Sequence, residues 1–185
     1  MVKRDFIRNI FLIISGIVLV FILRLFVFST HEISKSEANN FLNEGDLVTV
    51  QTTTKPTFKD FVVYKVDKKE YVGRVVAVPG DSVTFMDDIF YLNAMIEEEP
   101  YIDNLRTDYQ DSNGFDAYFT SDFTLETLTQ SNITKIPRGY FLVLNDNRQN
   151  TKDSREFGLI SQKQIRGVVN FRILPLDQFG FIENE

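Results

Sequence analysis

A nearly unbroken apolar run, NIFLIISGIVLVFILRLFVF at residues 9–28, lies near the amino terminus of this 185-residue chain. The run is interrupted only at Asn9, Ser15, Gly16 and Arg24. It is long enough to cross the hydrocarbon core of a membrane as a helix, and Lys3, Arg4 and Arg8 directly precede it. Because such basic flanks stay in the cytoplasm, the sequence predicts a single-pass cell-membrane protein whose remaining residues are extracellular.

The apolar run is longer than the core of a typical secretory signal peptide, and no A-x-A-like pair of small residues follows it. We therefore predict an anchor that is not cleaved. The predicted organisation is a cytoplasmic basic tip with the anchor at residues 1–30, followed by an extracytoplasmic domain at residues 31–185.

The chain has no cysteine and a single histidine, His31. Disulfides, thiolate nucleophiles and thiolate metal sites are thereby excluded. A Ser-His-Asp triad or a histidine-bearing zinc site would have to use His31, and a lone polar residue beside a membrane is more typical of a solvated flank. The sequence therefore predicts neither a metal site nor a cofactor.

The net charge of −6 is distributed unevenly along the chain. Residues 1–30 carry +3, so residues 31–185 carry −9. Since nucleic-acid binding requires a basic face, the charge of this domain argues against nucleic acid as a partner.

Six short runs of β-branched and aromatic residues follow the anchor, which is typical of a mainly β fold. They are residues 46–51, 61–66, 74–78, 88–93, 140–145 and 167–174. Several are apolar on successive residues, which predicts strands that are covered on both faces. Residues 97–135 are acidic and polar, and we interpret them as a surface excursion with at most a helical turn around LETL.

The densest polar stretch, LNDNRQNTKDSREFG, occupies residues 144–158 directly after a predicted strand. Asp and Asn side chains can hold such a loop in tight turns, and Asp153 can pair with Arg155. A loop of this kind also commonly lies beside an active site.

This stretch resembles the last box of the type I signal peptidases, which reads Gly-Asp-Asn-Arg, a Ser, then Asp-Ser-Arg and a Gly. YVGRVVAVPGD at residues 71–81 is similar to their preceding box, which has Lys-Arg, an apolar run and Pro-Gly-Asp. Residues 24–46 resemble the family's passage out of the membrane, where Ser-Met-x-Pro-Thr begins eight residues before a Gly-Asp. The resemblance implies a signal-peptidase-type β-rich extracytoplasmic domain that removes signal peptides with a Ser-Lys dyad, without histidine or metal.

On that resemblance, the nucleophilic serine falls on Glu37 and the general-base lysine falls on Gly73. A serine hydroxyl needs a base to remove its proton, and a lysine serves only when burial keeps it neutral. Glycine can perform neither role, and Glu37, when ionised, is a carboxylate that only accepts hydrogen bonds. Ser36 is one residue away, and a one-residue shift along an extended chain points its side chain to the opposite side.

The resemblance also implies which residues lie around the dyad. Lys35 falls where the family supplies an oxyanion donor, Asn145 replaces a glycine beside the lysine, and Thr151 replaces a serine that orients it. The former-cleft candidates are Lys35, Ser36, Glu37, Gly73, Arg74, Asn145 and Thr151. The positions that match the family's structural boxes are Arg74, Pro79, Gly80, Asp81, Asp146, Asn147, Arg148, Asp153, Ser154, Arg155 and Gly158.

From the missing dyad we predict a protein that is not an enzyme, whose groove binds exported polypeptides as an added strand. Its resemblance to the accessory signal-peptidase-like proteins of Gram-positive pilus assembly suggests a chaperone or adaptor for pilin subunits, acting beside a sortase at the membrane. The alternative is an active peptidase with replacement catalysts, for example Glu37 with Asp153 as a carboxylate pair. A third possibility, a structural membrane-tethered β domain, leaves the two long boxes unexplained.

Overall fold

The computed structural model describes the backbone of residues 2–26 and 28–184, and the side chains of residues 6–20 and 29–184. Its first element is the helix α1 (Val2–Phe26). The side chains of residues 6–20 on this helix are exposed, although most of them are apolar. In the described part of the chain, no helix has the length and hydropathy of a membrane span. The predicted membrane segment comprises residues 9–28, and the part of it after residue 20 lies outside the described side chains.

Twelve short strands follow α1 in the described chain. They are β1 (Phe28–Glu32), β2 (Leu47–Gln51), β3 (Phe61–Val66), β4 (Lys69–Ala77), β5 (Val83–Met86), β6 (Ile89–Leu92), β7 (Met95–Ile96), β8 (Phe123–Thr124), β9 (Tyr140–Leu144), β10 (Ile160–Ser161), β11 (Ile165–Leu174) and β12 (Gly180–Phe181). The remaining helices are α2 (Asp103–Asn113), α3 (Leu125–Thr129) and α4 (Ser154–Phe157), with short 3-10 turns at Pro100–Ile102 and Leu176–Gln178. The β-rich fold predicted from the sequence is confirmed.

The larger sheet has the order β1-β2-β11-β3-β4-β9-β10, with β12 also paired to β11, and every pairing is antiparallel. It curls strongly, because groups on β1 meet groups on β4 although three strands separate them in this order. Glu70 on β4 lies 3.4 Å from the Nδ1 atom of His31 on β1. Arg166 on β11 bridges the two strands, with a 2.7 Å ion pair to Glu70 and a 3.3 Å hydrogen bond to the Thr30 carbonyl.

The central strand β3 is buried on both faces, as its run of apolar residues predicted. Phe61 and Val63 pack into one cluster with residues of β2 and β11, whereas Val62 and Tyr64 pack into another on the opposite face. All four side chains are fully buried. This double coverage explains why the strand sequence does not alternate between apolar and polar residues.

The smaller sheet has the order β7-β6-β5-β8 and lies against the end of β4. The β4–β9 pairing has a register irregularity between Val75 and Ala77. It directs the end of β4 into the hydrophobic cluster that the smaller sheet forms. The rings of Phe85, Phe90 and Phe123 stack within that cluster, with centroids 4.6 and 4.9 Å apart.

Residues 97–135, predicted as a polar surface excursion, contain α2 and α3. α3 (Leu125–Thr129) coincides with the predicted turn around LETL and carries a capping box at Thr124. α2 has no buried residue, and its sequence DNLRTDYQDSN has no apolar periodicity that could have predicted it. The segment is also not purely a surface feature, because Tyr101, Ile102 and Phe119 form a buried cluster.

A buried ion pair joins β4 to the loop after β9. Arg74 Nε and Nη2 donate to the two carboxylate oxygens of Asp146 at 2.8 and 2.7 Å, and both side chains are fully buried. The guanidinium carbon lies 4.1 Å from the ring centres of Phe61 and Tyr101 and 5.0 Å from that of Phe41. Arg74 therefore holds four separate parts of the chain around one charge.

We expect Asp146→Ala to lower the free energy of unfolding by about 3–5 kcal/mol, because it leaves the Arg74 guanidinium buried without its carboxylate. Denaturant titration of the full-length chain, followed by tyrosine fluorescence, measures this loss. The control is Asp103→Ala, which removes a carboxylate from the more exposed 3.2 Å pair with Arg106. Its expected cost is at most about 1 kcal/mol, and equal losses in the two variants would contradict the assigned importance of the buried pair.

Candidate functional site

Glu37, the predicted position of the family's serine, lies in a turn directly after β1. Within this turn, the Glu37 and Ala38 amides donate to the Ser34 carbonyl at 3.0 and 3.2 Å. The Glu37 side chain folds back, so that its Oε2 atom accepts hydrogen bonds from the Ser34 amide at 2.8 Å and from the Ser34 hydroxyl at 2.6 Å. Only 8% of the Glu37 side chain is exposed. Glu37 is thus a bound carboxylate, with an exposed serine hydroxyl beside it.

His31 contacts the carboxylate of Glu37. Its Nε2 atom is 3.4 Å from Glu37 Oε2, its Nδ1 atom is 3.4 Å from Glu70 Oε2, and 12% of its side chain is exposed. The interpretation of His31 as a solvated flank is therefore wrong, because the curled sheet encloses the imidazole between two carboxylates.

The histidine and the carboxylate shift each other's proton affinity. The hydrogen bond to Glu37 raises the pKa of His31, and burial opposes this shift only in part. Burial by itself would raise the pKa of Glu37, but the hydrogen bonds from His31 and Ser34 outweigh it, so the pKa of Glu37 is lowered. Both shifts favour a charged pair.

Gly73, the predicted position of the family's lysine, lies in the middle of β4 opposite Val62 of β3. A Cβ atom placed on Gly73 would lie 2.7 Å from Val143 Cγ1 and 3.2 Å from the Leu144 carbonyl oxygen. Because real Cβ contacts are not this close, Val143 occupies the space that a side chain at this position needs.

The polar loop after β9 contacts the turn through Asn150, whose Nδ2 donates to the Ser36 carbonyl at 2.9 Å. Asn145, which stands where the family has glycine, is buried and donates to the Asn150 carbonyl at 2.8 Å. Thr151 and Lys35 are exposed. The loop therefore braces the backbone of the turn that carries Ser34 and Glu37.

Asp153 has an entirely structural set of contacts. It caps α4 through the Arg155 amide at 2.9 Å, pairs with the Arg155 guanidinium at 2.6 Å, and accepts from the Asn145 amide at 2.9 Å. Among the described contacts, Asp153 and Glu37 share no hydrogen-bond partner. The suggested Glu37–Asp153 carboxylate pair is therefore not formed.

The other box residues hold backbone turns or neighbouring strands. Asp81 accepts from the Val78 amide at 2.9 Å across the Pro79–Gly80 turn, and Gly80 has a positive φ of 100°. The buried Ser154 hydroxyl accepts from the Val143 amide at 3.0 Å.

The remaining three residues that match the family's structural boxes also hold local structure. Asn147 Oδ1 accepts from the Gln149 amide at 3.1 Å, and Gly158 ends α4 with a φ of 74°. The buried Arg148 pairs with Glu99 at 2.6 Å. These residues therefore stabilise turns, strands and helix ends, and in the described hydrogen bonds none of them contacts Ser34 or Glu37.

Three polar residues at or near the site were not predicted from the sequence: Ser34, Glu70 and Tyr64. Ser34 and Glu37 are three residues apart, a spacing at which a side chain can cap a turn, and this signal was available. The contacts of Glu70 depend on sheet curvature, which the sequence did not reveal. Burial raises the pKa of Tyr64, as do the negative charges of Asp153 and Glu37, so this tyrosine lies within the field of both carboxylates.

The chain resembles known proteins in both sequence and fold. The family described as "Signal peptidase, peptidase S26" matches residues 5–174. The chain is 38% identical over 164 residues to signal peptidase I of Bacillus caldolyticus, covering 86% of each chain. It is 34% identical over 187 residues to signal peptidase IB of Staphylococcus aureus strain MRSA252, covering 97% of this chain and 95% of the relative. The crystal structure of a signal peptidase I from Enterococcus faecalis V583 matches with a TM-score of 0.56 and 31% identity, over 62% of this chain and 97% of that one.

These relatives contradict the prediction that the chain is not an enzyme, because they are named as signal peptidases and cover between 62% and 97% of this chain. Their names likewise give no support to a pilus-assembly chaperone. The prediction rested on two missing side chains, Ser at 37 and Lys at 73. It did not consider that the fold places another hydroxyl, that of Ser34, against the carboxylate of Glu37.

We expect the pKa of His31 to lie above 6.5 and to fall in Glu37→Gln, because the variant removes the charge that favours the imidazolium. His31 is the only histidine, so its imidazole resonance in an NMR titration is unambiguous. Glu98→Gln, an exposed substitution outside the site, is the control and should leave the titration unchanged. A His31 pKa at or below 6.5 in the unmodified chain would contradict the pairing.

The same pair predicts a pH window for stability. The raised pKa of His31 gives a contribution that is complete below pH 6.5 and is lost as the pH rises through the folded pKa. The lowered pKa of Glu37 gives a contribution that is complete above pH 4.5 and is lost as the pH falls through its folded pKa. The stability difference between the unmodified chain and Glu37→Gln should therefore be largest between pH 4.5 and 6.5. Denaturant titrations across this range measure it, and a difference that does not vary with pH would contradict the pairing.

We expect Gly73→Ala to lower the free energy of unfolding by about 1–3 kcal/mol, because the added methyl group overlaps Val143. In Gly73→Ala/Val143→Ala the space is available, so the double variant should lose less than the sum of the two single losses. Denaturant titrations of the four proteins measure this coupling. Additive losses would show that Val143 does not fill the site of the missing side chain.

Proposed function

This chain belongs to the type I signal peptidase family, and we propose that it is an active endopeptidase that cleaves signal peptides with residues other than a Ser-Lys dyad. Relatives that match nearly its whole length are named signal peptidase I or IB. The observation that carries the proposal is the 2.6 Å hydrogen bond from the exposed Ser34 hydroxyl to Glu37. It supplies a nucleophile and a proton acceptor within the turn at which the family carries its serine.

In the proposed reaction, Ser34 Oγ attacks the carbonyl carbon of the scissile peptide while its proton passes to Glu37 Oε2. The peptide C–N bond then breaks, and the departing amine takes the proton from Glu37. Water hydrolyses the resulting ester to regenerate Ser34 and release the second product, and Glu37 again accepts and returns one proton.

His31 has a positioning role in this proposal. Its hydrogen bond and the lowered pKa of Glu37 favour an ionised carboxylate near neutral pH, which is the form that can accept a proton. The same lowering makes Glu37 a weaker base, so the short contact with Ser34 has to compensate through proximity. Asn150, which binds the Ser36 carbonyl, limits movement of the turn.

We further propose that α1 anchors the protein in the cell membrane and that the β domain faces the outside. The exposed apolar side chains within residues 6–20, and the basic residues Lys3, Arg4 and Arg8 at the start of the helix, support this orientation. An exported preprotein is then the substrate, because it reaches the same face of the membrane. Pilin subunits and a sortase remain predicted partners.

The test is a cleavage assay of the full-length chain in lipid vesicles, with a preprotein that carries a signal peptide. The unmodified chain should release the mature protein, and both Ser34→Ala and Glu37→Gln should reduce the rate by about 100-fold or more. Ser36→Ala is the matched control, because Ser36 contacts Ser34 through its hydroxyl at 3.2 Å but does not contact Glu37 in the described bonds.

The assay gives three informative outcomes. Lack of cleavage by the unmodified chain, under conditions in which a relative with the Ser-Lys dyad cleaves the same preprotein, overturns the proposed activity. Full activity in Ser34→Ala overturns the assignment of the nucleophile. An equal loss in Ser36→Ala would show that the turn, and not the Ser34 hydroxyl, limits the rate.

A further inference from the structure

Basic side chains cluster on the hairpin between β3 and β4 and at the start of β11. The exposed members are Lys65, Lys68, Lys69 and Lys163, and Arg166 is partly buried beside them. Two carboxylates, Asp67 and Glu70, belong to the same segment, and Glu70 is already paired with Arg166 at 2.7 Å. This basic cluster contrasts with residues 31–185 as a whole, which carry −9.

Backbone hydrogen bonds hold the two parts of the basic cluster together. The Lys65 amide donates to the Gln164 carbonyl at 2.8 Å, which fixes the hairpin against the start of β11. Lys65 also lies opposite Glu70 in the β3–β4 register. Lys65 and Lys69 are therefore on paired strands and Lys68 is in the turn between them, which limits how far the hairpin can move from β11.

The basic cluster lies close to the end of α1. Arg166 Nη2 donates to the Thr30 carbonyl at 3.3 Å, and Thr30 is four residues beyond Phe26, where α1 ends. Four residues of extended chain span roughly 13 Å at about 3.3 Å per residue. That distance is comparable with the Debye length of about 8–10 Å at physiological salt, so charge on a membrane surface at the end of α1 would act on the cluster.

We propose that this basic cluster binds the anionic headgroups of the phospholipid membrane that α1 enters. The proposal depends on the membrane anchor of the proposed function, but not on peptidase activity. Lysines near an anionic membrane surface each contribute attraction, so several on one hairpin give a contact that orients the β domain. Glu70, which pairs with Arg166, also lies 3.4 Å from His31, so the lipid contact lies beside the candidate site.

The absence of cysteine allows a site-specific test, since an introduced cysteine is the only thiol of the chain. A fluorescent probe at Asp67→Cys reports on the hairpin tip, and a probe at Asn113→Cys, an exposed position at the end of α2, is the control. The full-length protein is reconstituted in phosphatidylcholine vesicles with or without phosphatidylglycerol, and a quencher is attached to the lipid headgroup. We expect the hairpin probe to be quenched strongly only with phosphatidylglycerol, and the quenching to be lost at 1 M salt, where the Debye length is about 3 Å.

The charge variants decide which surface is responsible. Lys65→Gln/Lys68→Gln/Lys69→Gln should lose the lipid-dependent quenching. Lys55→Gln/Lys135→Gln/Arg138→Gln removes the same charge from exposed positions elsewhere and should retain it. Equal quenching with and without phosphatidylglycerol, or equal loss in both triple variants, would overturn the proposal.

Flotation separates this inference from the proposed anchor. Flotation with pure phosphatidylcholine vesicles at 1 M salt reports on α1, because the electrostatic contribution is then screened. Failure to float overturns the anchor, whereas flotation without lipid-dependent quenching at low salt overturns only the contact by the basic cluster. If phosphatidylglycerol causes no quenching and an acidic peptide changes the fluorescence of the hairpin probe, the proposal is overturned and the cluster binds an acidic segment of a protein instead.

Discussion

The buried ion pair between Arg74 and Asp146 is the interaction on which the rest of the site depends. A buried charge is tolerated only when it is paired and hydrogen-bonded, so every segment that encloses Arg74 is constrained by its position. Arg74 directly follows Gly73, and Asp146 directly follows Asn145, so the pair fixes the two segments that flank the family's lysine position. Phe41, on the segment after the turn of Ser34 and Glu37, lies over the same guanidinium.

This constraint explains how the scaffold is retained while the reactive residues differ. The box residues hold turns and strand ends, as Asp81 does at the Pro-Gly turn and Asp153 does at the start of α4. Gly73 and Glu37 contribute to none of these supporting contacts. The site of Gly73 is instead filled by Val143 from the neighbouring strand, and Glu37 is held by Ser34 and His31. The two positions have therefore acquired packing and hydrogen bonding of their own.

Predictions from the sequence were right where a feature depends on neighbouring residues, and they failed where it depends on residues far apart along the chain. Strand β3 occupies the predicted residues because its β-branched and aromatic composition specifies it locally. β1 was missed because only Phe28 belongs to the apolar run, and the polar residues 29–32 that follow it give no strand pattern in the sequence. His31 was misinterpreted because its environment comes from Glu70, which is 39 residues away and reaches it only through the curl of the sheet. The prediction that the chain is not an enzyme was made from residues 37 and 73 and the neighbouring Ser36, and it did not include the hydroxyl of Ser34, which contacts Glu37 only through the fold of the turn.

The sequence by itself determined the family and the order of the apolar helix and the β domain, and it led to the prediction that Glu37 and Gly73 stand at the two dyad positions. These features depend on residue types and short spacings, which are local. Only the tertiary structure decided that Glu37 is buried against Ser34 and His31, that Asp153 is fully occupied by Arg155, and that the β3–β4 hairpin lies beside β1. The reason is that each of these contacts results from the curvature of a multistranded sheet, which brings together residues whose separation along the chain gives no sign of their contact.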